Sequence, residues 1–128
     1  MCATAFSVSP ILRLKRSSQS GNKIMTAAWQ TVYSQSQAYA WVFGSGRINL
    51  SGMAAGDHID IRVSSRQVAG GAYVVEDLMD YDDAQPTNKQ KVTIGSFIDT
   101  FGVIIEMRQT AVAVALLTIY CEFSDATR

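Results

Sequence analysis

The sequence predicts an all-β domain, an antiparallel β-sandwich of about eight strands, and three observations lead there. Apolar and polar residues alternate with a period of two, as in Ile59, Ile61 and Val63 against His58, Asp60 and Arg62. Gly, Asp, Ser and Asn clusters interrupt the alternation every ~8–12 residues. Helix caps followed by apolar runs of period 3.6 are missing from the sequence. Eight strands in two sheets make a single jelly roll the leading arrangement. An immunoglobulin-like sandwich is second, because the Cys-Trp-Cys spacing that favours it is absent.

Residues 1–25 read as an extended N-terminal arm and 26–128 as the sandwich domain. Within the arm, Ile11, Leu12, Arg13, Leu14, Lys15 and Arg16 alternate weakly and suit an edge strand that adds to a neighbour. Ser17 to Asn22 reads as a turn or linker. Thr26 to Ser34 is the first expected strand of the domain. Ala38 to Phe43 is the second, with Tyr39, Trp41 and Phe43 on one face and alanines and Val42 on the other, which suits a face packed on a second sheet. Gly44-Ser45-Gly46 is either a hairpin turn or a bulge within one longer strand. Ile48 and Leu50 then point inward. The turn Gly52 to Gly56 leads into the clearest strand, 57–66, where Gly56-Asp57 supplies a residue free of Cβ strain and an Asp able to bond its own backbone.

Ala72 to Met79 is apolar enough for a strand, and Asp80 to Lys89 reads as a polar loop. Lys91 to Ile98 is a strand bent at Gly95. Phe101 to Arg108 alternates with Val103, Ile105 and Met107 inward, and Gln109 to Ala111 reads as a break. Val112 to Phe123 is the longest strand-like run. It is apolar on both faces at its start, which predicts a central strand there.

The 128 residues fit one domain, and 48% apolar residues can fill its core without staples. No apolar run approaches the ~18 residues of a membrane helix, so no membrane span is expected. The positive charges of the N-terminus follow its apolar stretch, the reverse of a secretory signal, so the chain is expected to stay where it is made. Charge is unevenly distributed. Residues 1–56 carry five basic and no acidic side chains, and residues 57–128 carry six basic and eleven acidic ones. A mixed surface explains this, and so does a basic arm that docks on an acidic neighbour.

Chemistry has little support. The single histidine, His58, faces outward with Asp60, and no GxSxG or equivalent supplies a nucleophile, so no catalytic residue is assigned. One His and two Cys cannot make a zinc site by themselves, and no phosphate-binding glycine motif occurs, so no metal and no cofactor are assigned. Glu76, Asp77, Asp80, Asp82 and Asp83 could hold calcium, although their spacing does not match the twelve-residue calcium loop. Cys121 reads as a small buried hydrophobe, with a bond to Cys2 disfavoured. Arg13, Lys15, Arg16 and Lys23 offer a weak footprint for nucleic acid.

Three pieces carry a resemblance: the strand Trp29-Gln30-Thr31-Val32, the turn from Leu50 to Asp57 leading into Ile59 to Val63, and the closing segment from Gly102 to Ala111. Together, over about residues 26–123, they resemble the small single-jelly-roll structural proteins of virions, which serve as decoration, minor capsid or vertex proteins. The resemblance implies a non-enzymatic capsid or virion component, a homo-oligomer whose partners are copies of itself and other virion proteins. Made in the host cytoplasm, it would reside in the virion, with no small-molecule substrate and no membrane. The alternative is a ligand-binding sandwich of lectin or carbohydrate-binding type, using Trp29, Tyr39 or Trp41 as a stacking platform and the acidic segment for calcium.

Overall fold

The structure, a computed structural model, describes residues 13–126. Ten strands occur among them: β1 (Leu14–Arg16), β2 (Gly21–Ile24), β3 (Gln30–Gln35), β4 (Trp41–Asn49), β5 (His58–Ser65), β6 (Val74–Asp82), β7 (Lys91–Ile94), β8 (Phe97–Asp99), β9 (Val103–Ala111) and β10 (Thr118–Ala126). A single 3₁₀ turn, Thr87–Lys89, precedes β7. The strands form two antiparallel sheets, so the domain is an all-β sandwich. One sheet runs β1-β10-β4-β7, with β2 also on β10 and β8 also on β4. The other runs β3-β9-β5-β6.

The expected count of about eight is exceeded because two edges are interrupted. β1 pairs with the last residues of β10 and β2 with its first, from Thr118 to Cys121. Between them the Ser20 hydroxyl accepts from Phe123 N at 2.9 Å, which keeps the chain on β10 where it turns. β7 and β8 likewise lie along different halves of β4, broken at Gly95-Ser96. Residues 14–25, expected as the inner part of a free arm, are therefore folded into their own sheet, and Met25 is fully buried. Ile11 and Leu12 lie outside the described residues.

Of the two readings of Gly44-Ser45-Gly46, the bulge within one longer strand holds: β4 is continuous, and its register against β10 shifts past Gly44. Two other expectations change. β6 continues through Asp82, so Asp80 and Asp82 belong to a strand rather than a loop. β9 continues through Ala111, and residues 112–117 form an exposed loop rather than the start of a central strand.

The inward faces follow the period-two reading. Ile59, Ile61 and Val63 of β5 and Val103, Ile105 and Met107 of β9 meet Phe43, Ile48, Ile119, Cys121 and Phe123 from the opposite sheet. Tyr33 joins the two layers. Its ring packs 5.1 Å from Phe43 and 5.0 Å from Phe123, and its hydroxyl donates to the buried Asp125 carboxylate at 2.7 Å. Burial, and then that hydrogen bond, push the Tyr33 hydroxyl pKa far above its ordinary value. Gly46 packs closely against this cluster; a Cβ there would sit 3.1 Å from the Phe123 ring and 3.3 Å from Phe43, so the rings would have to give by a few tenths of an ångström. Burial also pushes the Cys121 thiol up to about 12, the inert state expected of a cysteine that serves as packing.

Trp41 is 7% exposed, so the aromatic row of β4 packs inward from Trp41 to Phe43, while Tyr39, before the strand begins, is 47% exposed. Replacing Trp41 by Ala is expected to cost roughly 3–5 kcal/mol, the usual loss for a buried large aromatic. Urea unfolding of the two proteins measures it, and a loss under ~1 kcal/mol would place the indole in solvent.

Candidate functional site

Two regions bring functional groups together, and β5 anchors both. The first is the end of the sandwich where β5 begins. Gly56 has φ +97°, a left-handed conformation suited to glycine, and it sets Asp57 inward. The Asp57 carboxylate is buried and accepts three bonds. Ala113 N lies 2.8 Å and Gln109 Nε2 3.0 Å from one oxygen, and Ala54 N lies 2.9 Å from the other. Gln109, fully buried on β9, accepts from Leu117 N at 2.8 Å, and its own backbone N donates to Thr26 O at 2.8 Å. One carboxylate and one amide thus fasten three connections: 25–29, 50–57 and 112–117.

What they fasten is apolar and exposed. Val112, Val114 and Leu116 point to solvent, Val114 at 94%, and Ile24 is exposed at the neighbouring strand end, where it pairs with Thr118. Ala27, Ala28, Ala54, Ala55, Ala113 and Ala115 are exposed around them. No charged residue occurs in 24–29, 50–56 or 111–118. A shallow recess of about 290 Å³ between Gly52, Ala54 and the 113–118 segment completes this end.

The second region is the outward face of the β3-β9-β5-β6 sheet. Alternation puts His58, Asp60 and Arg62 of β5 outward, opposite Asp82, Asp80 and Leu78 of β6 and beside Ala111, Arg108 and Glu106 of β9. A chain of contacts crosses the sheet. His58 Nδ1 meets Asp82, and Nε2 lies 2.8 Å from Asp60 Oδ1. Arg108 Nε donates to Asp60 Oδ2 at 2.8 Å, and Arg62 Nε donates to Glu106 at 2.8 Å. Trp29 closes the chain, with the Arg62 and Arg108 guanidiniums 4.1 and 4.3 Å from the centre of its ring.

Electrostatics follow from these contacts. The hydrogen bonds that the imidazole donates to Asp82 and then to Asp60 raise the His58 pKa above its ordinary 6.5. Burial alone would raise the Asp60 carboxyl, but the bonds from Arg108 and His58 outweigh it and hold the group below its usual value. Both ring nitrogens of His58 face carboxylates, so the pattern lacks the nucleophile that a hydrolytic dyad needs.

The sequence-proposed residues fare differently. Leu14, Lys15 and Arg16 pair with Ala126, Asp125 and Ser124 of their own chain, and Arg16 donates to the Tyr120 hydroxyl at 3.2 Å. The three aromatics of the ligand-binding alternative do not form one platform, since Trp29 is covered by arginines and Trp41 is buried. The five acids are strung along β6 and its end instead of lining a loop. Glu76 is bonded by the Ser65 hydroxyl and Asp83 by Gly56 N at 2.8 Å, while Asp80 and Asp82 turn towards His58. Among the described residues, His58, Asp60 and Asp80 are the group whose ligand-type atoms approach one another closely enough for a metal ion.

No family model, curated protein or solved structure matches the chain.

Asp57→Ala should cost about 2 kcal/mol, because it strands the buried Gln109 amide, a loss of roughly 1–3 kcal/mol, and frees two part-buried backbone donors. Hydrogen exchange should then accelerate first at Ala113, and unchanged exchange there would show that the carboxylate does not hold the loop. His58 should titrate above 6.5 in metal-free buffer, and Asp82→Asn should lower that value. Because folding raises the pKa, the contact stabilises the protein fully below the unfolded value, and the effect fades as pH rises through the folded one. An imidazole NMR titration reads the first effect. Unfolding midpoints of the wild type and the variant, compared at pH 6 and pH 9, read the second.

Proposed function

We propose that this chain is a non-enzymatic structural subunit of a virus particle, a single jelly roll that assembles with copies of itself and with other virion proteins. The strand order supports the fold part of this reading. Counting β1 with β2 and β7 with β8 as single interrupted strands leaves eight, ordered 1-8-3-6 in one sheet and 2-7-4-5 in the other. Apart from the β5–β6 hairpin, each link between successive strands of that eight passes from one sheet to the other, the wiring of two Greek keys. Jelly rolls also serve as lectins and other binding domains, so the fold alone does not select a function.

The observation that carries the assembly reading is the ordered, uncharged, apolar end around Val114. A loop exposing Val112, Val114 and Leu116 gains nothing from water, yet buried Asp57 and Gln109 hold it in one conformation. Copies of the same chain are suitable occupants. Copies meeting around an axis present like residues to one another, and 24–29, 50–56 and 111–118 bring no like charges together. Their alanines and glycines also let backbones approach closely. An anionic membrane is a poorer fit, since none of these segments carries Lys or Arg.

The test is size-exclusion chromatography with light scattering on the full chain and on a Val114→Asp, Leu116→Asp variant. Burial of each side chain is worth about 1.5–3 kcal/mol, so the double variant should weaken assembly at least a hundredfold. Both positions are exposed, so its melting temperature should stay close to that of the wild type. A wild type that stays monomeric at high concentration, or a variant that assembles equally well, would overturn the reading.

A further inference from the structure

On the outward face of the β3-β9-β5-β6 sheet, three carboxylates around His58 have a cationic partner and a fourth has none. Asp60 has Arg108, Glu106 has Arg62, and Asp82 has His58. Asp80 makes no hydrogen bond or ion pair among the described residues, and its register partner across the β5–β6 pair is another carboxylate, Asp60. Like charges directly opposite on one face of a sheet are destabilising. His58 stands beside this pair on the same face. Its Nε2 is turned towards Asp60, and its other nitrogen is engaged by Asp82.

We infer that His58, Asp60 and Asp80 form a binding site for a divalent transition-metal ion of the zinc class. Ligand atoms of the three lie within 4.8 Å of one another. Tetrahedral ligation at about 2.0–2.2 Å places ligand atoms roughly 3.4 Å apart. Asp80 is exposed and free to close that gap by rotation, whereas His58 and Asp60 are already held. One imidazole nitrogen with two carboxylates suits zinc, manganese or cobalt better than calcium, which takes oxygen ligands.

The surroundings match what a ligand histidine needs. A metal-bound imidazole usually donates its remaining N–H to a carboxylate, which fixes the tautomer and the ring plane, and Asp82 stands at that nitrogen. Arg108 occupies the outer oxygen of Asp60, which leaves Oδ1 as the oxygen facing His58. On binding, the metal takes the Nε2 lone pair, and the proton shared between Nε2 and Asp60 leaves to solvent. The remaining coordination positions face water, because Asp80 lies on the edge strand β6. This inference is independent of the assembly reading and uses none of the residues of the apolar end.

The chain has one histidine, so its spectrum contains one imidazole to watch. Titrating the full chain with zinc alone should perturb the His58 ring resonances with saturation, and calorimetry should give one site. Asp80→Asn and His58→Ala should each weaken binding at least tenfold. Asp82→Asn, which alters only the support of the ring, should weaken it ~10–100-fold. Cobalt in place of zinc should give the weak absorption of nitrogen and oxygen ligands. The inference is overturned if zinc leaves the imidazole unmoved, or if Asp80→Asn binds as well as the wild type. It is equally overturned by an intense thiolate-to-cobalt band, which would put the ion on a cysteine, or by calcium binding as tightly as zinc, which would mean attraction to acidic β6 only.

Discussion

The buried carboxylate of Asp57 is the contact on which one whole end of the sandwich depends. Taking an ionised group out of water costs several kcal/mol unless donors replace the lost hydration. Here two backbone N–H groups and the Gln109 amide do so, from three different parts of the chain. Because the two backbone donors come from connections rather than strands, the same bonds that offset desolvation also set the loop positions. Gln109 repeats the arrangement with Leu117 N and Thr26 O, on its side chain and its backbone respectively. Two polar side chains at the top of the core thereby order connections that carry few large buried side chains of their own.

The outward face of the β3-β9-β5-β6 sheet obeys a different constraint. Its charges lie part-buried on an open sheet face, where desolvation offsets much of each pair's attraction, so the network fixes registry more than stability. Trp29 is the exception, since two guanidiniums lie against its half-buried indole. An aromatic residue that looks available for stacking in the sequence is thereby engaged by the protein itself, through arginines 33 and 79 positions further along.

Much of the core was legible because burial and the β-pleat share one period. Ile59, Ile61 and Val63, and Val103, Ile105 and Met107, read correctly for that reason, and so did Trp41 and the inert Cys121. The run from Val112 to Leu117 misled because apolar residues on both faces describe a central strand and an exposed apolar loop equally well. What distinguishes them is Asp57, 56 positions before Ala113, and no local pattern reports such a tether. The end of β6 was legible in principle. Met79 and Tyr81 pack partly on the core while Asp80 and Asp82 alternate with them outward, a period of two that the density of acids disguised as a loop. Residues 14–24 read as an arm because short, interrupted pairing with β10 leaves only weak alternation behind.

In the assembly we propose, the two regions would divide the work between them. Apolar contact is strong but undirected, so an uncharged end of valines and alanines can hold copies together without specifying their rotation. Charged faces behave in the opposite way, contributing little affinity but penalising wrong juxtapositions by like-charge contact. In this chain the two are kept apart. Acidic β6 forms one edge of its sheet, and the apolar loops close the end where β5 starts and β9 stops. In the assembly proposed above, acidic β6 would disfavour a second acidic edge and favour a cationic one, so charge on the adjacent face would restrict the rotation that the apolar end leaves open.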